Sequence, residues 1–90
     1  MKIVKIDVSV KDYKYSNYHF VELALNLEAA MKWLNEKYPG MEDITSEEKY
    51  YHDNPPVSVF HHTKKRYEED GSYDYPIEST IELYWEEVIE

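Results

Sequence analysis

The sequence predicts an α+β fold in two layers, one helix packed on a four-stranded, mainly antiparallel sheet in the order β-β-α-β-β. Three observations lead there. Val4, Ile6, Val8 and Val10 alternate strictly with polar residues, residues 27–38 switch to helical spacing, and two further alternating runs follow on either side of Gly71. Ninety residues suffice for one hydrophobic core and not for two, so residues 1–90 are expected to form a single domain. A chain of this size buries only about 60–65% of its unfolded surface, so a homodimer would supply useful extra burial.

The first strand places its valines and Ile6 on one side and Lys5, Asp7, Ser9 and Lys11 on the other. The polar stretch Asp12 to Asn17 ends it. Tyr18 to Leu25 reads as the returning strand of a loose hairpin, with His19, Val21, Leu23 and Leu25 on its inner side and Tyr18, Phe20 and Glu22 opposite. Asn26 suits an N-cap, and Leu27, Ala30, Met31, Leu34 and Tyr38 then form one helical face. Lys37 complements the negative end of that helix, and Pro39-Gly40 stops it. Trp33 projects roughly 120° from the centre of the buried stripe. It serves there either as a cover for the edge of the core or as an anchor for a partner.

Met41 to Pro56 is polar and closes with Asp53-Asn54-Pro55-Pro56, although Thr45-Ser46-Glu47-Glu48 has the spacing of a capping box and predicts a short helix from Ser46 towards Tyr51. Val57 to Tyr67 and Ile77 to Ile89 read as the second pair of strands. An odd-length loop of Asp70, Gly71 and Ser72 would match their apolar positions, pairing Val57 with Trp85, Val59 with Leu83 and His61 with Ile81, and would set Lys64 opposite Glu78. Strand order is left open by the sequence.

The net charge of −9 is unevenly placed. Residues 1–66 hold ten acids and ten bases, whereas residues 67–90 hold nine acids and no Lys or Arg. Such a field repels phosphate backbones and anionic lipid heads, so direct binding of nucleic acid or membrane is not expected and a protein with a basic surface is the natural complement. Acidity also simply keeps small proteins soluble. Absence of Cys excludes disulfides, zinc-thiolate sites and thiol nucleophiles. The charges within Met1 to Asp7 come too early for a signal-peptide core, and nowhere do about 18 apolar residues run together, so a cytoplasmic protein is expected.

The expected register gathers Glu78, Glu82, Tyr84 and Glu86 on the outward face of the last strand, with carboxylates about 13 Å apart and Phe60, His62, Lys64 and Arg66 alongside. This row is either an ordinary solvated face or a platform on which carboxylates orient a basic partner while Phe60, Tyr84 and Trp33 contribute affinity. Ten tyrosines, too many for a small core, favour a contact surface and also suit exposed strands. The only basic cluster, His61 to Arg66, offers an alternative: His62, Lys64 and Arg66 on one strand face could hold a small anion such as a nucleotide. Alternatively they neutralise the neighbouring acidic strand.

No catalytic constellation is visible. His61 and His62 point to opposite strand faces and cannot chelate one metal, and His52-Asp53 falls in a loop. His19 and His61 are expected to share the inner face as hydrogen-bonded histidines. Two glycines, Gly40 and Gly71, allow no phosphate-binding loop. No cofactor and no metal are expected. The sequence therefore predicts a non-enzymatic protein-binding module, a small acidic inhibitor or adaptor of the sort carried by phages and other mobile elements. A sequestering oligomer for a small anionic ligand is the alternative.

Overall fold

Alternation in the first run produces β1 (Lys2–Asp12), whose Val4, Ile6, Val8 and Val10 are at most 2% exposed. Burial along the whole strand requires a neighbour on each edge and a layer on one face. The computed structural model, which describes residues 1–48 and 55–89, supplies both. β2 (Tyr18–Ala24) lies on one side of β1 and β5 (Tyr73–Glu87) on the other, followed by β4 (Ser58–Tyr67) and the two-residue β3 (Glu42–Asp43). The order is β2-β1-β5-β4-β3, with every pair antiparallel. Helix α1 (Leu27–Lys37) crosses one face, capped at Asn26, whose Oδ1 accepts from Ala29 N at 2.8 Å. Its predicted stripe is the one buried: Ala30, Leu34 and Tyr38 fully, Leu27 and Met31 in part, against the inward residues of β1, Phe60, Ile81 and Leu83.

The sheet has five strands rather than four because the start of the polar stretch after α1 pairs with β4. Ile44 N donates to Val59 O at 2.9 Å, extending the short β3 pairing, and helix α2 (Thr45–Glu48) follows beside β4. Thr45 ties the start of α2 to β3 and β4, and the Glu48 side chain of the expected capping box lies outside the described residues. The Thr45 Oγ1 accepts from Val59 N at 3.0 Å, while the Asp43 carboxylate accepts from Thr45 N and Oγ1. Those bonds, the hydroxyl first, hold the Asp43 carboxyl below its usual range. The remainder of the predicted helix, towards Tyr51, and the His52-Asp53 pair lie outside the described residues.

Two expectations about faces are corrected. In β2 it is Phe20 and Ala24 that turn towards α1, because Val8 pairs with Phe20 and Val4 with Ala24; His19, Val21 and Leu23 turn to the opposite face. His61 joins them there, in the same transverse row as His19, since Ser9 pairs with His19 and with Thr80, and Thr80 with His61. In the β4–β5 hairpin the loop is three residues long, but it is Glu69-Asp70-Gly71. Glu68 N donates to Ser72 O and Gly71 N to Glu68 O, both at 2.9 Å, with Gly71 at φ +86°. Only glycine takes that left-handed position without strain.

Further along, Arg66 pairs with Asp74 and Lys64 with Ile77, so Tyr75 and Pro76 together oppose Lys65. This is a β-bulge, and a proline, which cannot donate to a ladder, is at home in one. Loop and bulge together offset the expected register by one. Phe60 then opposes Ile81, His62 opposes Ser79, and Val59 opposes Glu82. Every β4 side chain is therefore on the other face from the one expected.

Candidate functional site

The face opposite α1 is built mainly from β5, β1 and β2. Period two places Glu78, Thr80, Glu82, Tyr84 and Glu86 in one row on β5, as the sequence indicated, but β5 is the central strand of the sheet rather than part of a free pair. The row is flanked on one side by Lys11, Asp7, Lys5 and Ile3, opposite Glu78, Glu82, Tyr84 and Glu86 respectively. On its other side stand Thr63, His61 and Val59. Phe60 is not there; it is 7% exposed in the core beneath α1.

These groups are tied to one another. Tyr84 OH donates to Glu82 Oε2 at 2.5 Å, and Lys5 Nζ lies 5.1 Å from the Tyr84 ring centre. Burial, then the Glu82 carboxylate, push the Tyr84 phenol far above its ordinary range, so it stays a donor. Tyr13 OH donates to Glu78 Oε2 at 2.7 Å, which raises the Tyr13 phenol as well. His19 pairs with Asp7. Along the β1–β5 ladder of this surface, four carboxylates (Asp7, Glu78, Glu82, Glu86) thus face two ammonium groups (Lys5, Lys11). Beside them β2 exposes Val21 and Leu23, at 46% and 61%. The acidic row is real, with a partly compensated charge and an aliphatic margin that the sequence reading had turned inward.

The three basic candidates separate. Arg66 is not available to an anion: its guanidinium grips the Asp12 carboxylate with Nη2 at 2.8 Å and Nη1 at 3.2 Å, and its Nε lies 3.6 Å from Asp74 Oδ2. Lys14 Nζ completes the cluster at 2.7 Å from Asp74 and 2.9 Å from Glu68. The Lys14 bond, first among several, holds the Asp74 carboxyl down at about 2. This network clamps the β1–β2 loop to the distal hairpin, around which Tyr13, Tyr15, Tyr67, Tyr73 and Tyr75 are exposed.

His62 and Lys64 remain together on the α1 face, where helix placement adds Lys37 and Tyr38. The His62 ring meets the Tyr38 ring edge-on at 5.4 Å. Trp33 is half-buried against the core, and with Phe20 it holds the Lys37 ammonium, 4.8 and 4.5 Å from the ring centres. It therefore sits at the edge of the core, on the α1 side of the sheet rather than with the acidic row. Lys37 signalled only a helix end in the sequence, because nothing local shows which strands a helix end will reach.

Among the described residues no group of three potential ligands gathers to hold a metal ion, and no helix is long and apolar enough to cross a membrane. No protein-family model, curated protein or solved structure matches the chain.

Proposed function

We propose that the protein is a binding module, an inhibitor or adaptor without catalysis of its own, that engages the basic surface of a partner protein through the sheet face opposite α1. One observation carries the reading: the β2–β1–β5 part of that face bears no covering element among the described residues, and it exposes Val21 beside Asp7 and Leu23 beside Lys5, with Glu82 and Tyr84 one strand further on. Aliphatic surface left open next to carboxylates suits a partner that brings apolar contacts within a basic rim. Carboxylates contribute encounter rate and orientation, and Leu23, Val21 and Tyr84 contribute affinity.

The test is capture from lysate of the source cell, followed by salt elution. Wild-type protein is expected to retain basic proteins that elute as ionic strength rises. Leu23→Asp, and the triple variant Glu78→Gln, Glu82→Gln, Glu86→Gln, should lose them while keeping a cooperative melt, and Glu68→Gln with Glu69→Gln at the hairpin tip should retain them. If both face variants capture the same proteins as wild type, the proposal fails.

A further inference from the structure

In a chain with 19 acidic and 10 basic side chains, a place where cations converge without carboxylate partners requires explanation. One exists where the last turn of α1 passes over the ends of β1, β5 and β4. A cleft of about 220 Å³ opens between Tyr18, Lys37, Tyr38, His62 and Lys64, with the buried Ser79 in its floor. A second cleft of about 480 Å³ continues from it and shares Lys37, His62 and Lys64; Glu36 is the carboxylate on its lining. Among the described residues no ion pair engages Lys37 or Lys64. Lys37 is restrained by the rings beneath it, and it offsets the negative end of α1, which would otherwise oppose an anion here. His62 is set by its contact with Tyr38. The Tyr38 phenol, raised by burial first, stays a donor. Tyr18 leaves a ring open at the mouth, stacked at 6.3 Å on Phe20.

We propose that this double cleft binds a small phosphate ester carrying a planar ring, of the size of a nucleoside monophosphate. Lys37, Lys64 and His62 hold the phosphate, and Tyr18 stacks on the ring. The site lies on the opposite side of the sheet from the protein-binding face and is independent of it. Two ammonium groups from different elements, neither in an ion pair among the described residues, can each give a phosphate a charge-assisted bond, and ring stacking adds discrimination that inorganic phosphate lacks.

Calorimetric titration with AMP, GMP, CMP and UMP, with inorganic phosphate as comparison, tests this. At least one nucleotide should bind more tightly than phosphate and raise the melting temperature. Lys37→Gln with Lys64→Gln should weaken that binding at least about tenfold, and Tyr18→Ala about fivefold or more, consistent with the loss of one stacked base. All three side chains are at or near the surface, so the variants should melt close to wild type. Absence of binding by all four nucleotides, phosphate binding as tightly as they do, or affinity unchanged in the double lysine variant would each overturn the proposal.

Discussion

Single residues decide where the β4–β5 hairpin puts its chemistry. Gly71 holds a left-handed φ that closes the loop one residue earlier than Asp70-Gly71-Ser72 would, and Pro76 occupies the bulge that shifts the ladder again. We expect Gly71→Ala to cost about 1–2 kcal/mol, because an L side chain is strained in that conformation; urea unfolding measures it. Asn26→Ala should cost about 1 kcal/mol through loss of the bond to Ala29 N. Phe60, which alternation alone assigned to the binding surface, is a core side chain. Phe60→Ala is therefore expected to reduce stability by about 3–5 kcal/mol and to leave capture of basic partners unchanged once allowance is made for the unfolded fraction. A steady melting temperature with lost capture would contradict this placement.

Among the elements, the distal hairpin stands apart, since charged bonds from Lys14 and Arg66 tie its ladder to the β1–β2 loop. Asp74 and Asp12 both titrate below their ordinary range, chiefly through bonds from Lys14 and Arg66 respectively. A carboxyl depressed in the folded state stabilises it above the ordinary carboxylate pKa, and that contribution disappears as pH falls towards the folded value. The hairpin should thus loosen between about pH 5 and pH 2. Amide exchange across residues 65–75 should accelerate over that window before the rest of the sheet opens, and Lys14→Gln should flatten the dependence. An unchanged acid profile in Lys14→Gln would separate the hairpin from this network. Helix α1, by contrast, was fully legible: its cap, its stripe and its stop are local signals, and all three appear where the spacing put them.

At the scale of the whole molecule, the order β2-β1-β5-β4-β3 joins the two ends of the chain in the middle of the sheet. β1 and β5 are each paired on both edges, so their amides should exchange slowest, and those of the edge strand β2 much faster; native-state exchange tests this directly. That same order turns the acidic row of β5 into the centre of a face, flanked by Lys5 and Lys11, and brings Lys37 to His62 and Lys64. The amino-acid sequence alone determined the helix, the strands that alternate, the grouping of Glu78, Glu82, Tyr84 and Glu86, and the acidic bias of the last third, because periodicity and charge are properties of neighbouring residues. Tertiary structure decided which side of β2 and β4 is inward, which cations are already paired, and which lysines converge on a cleft. Those depend on register and strand order, and a single bulge at Pro76 or a one-residue change of loop reverses a whole strand face without altering its local pattern.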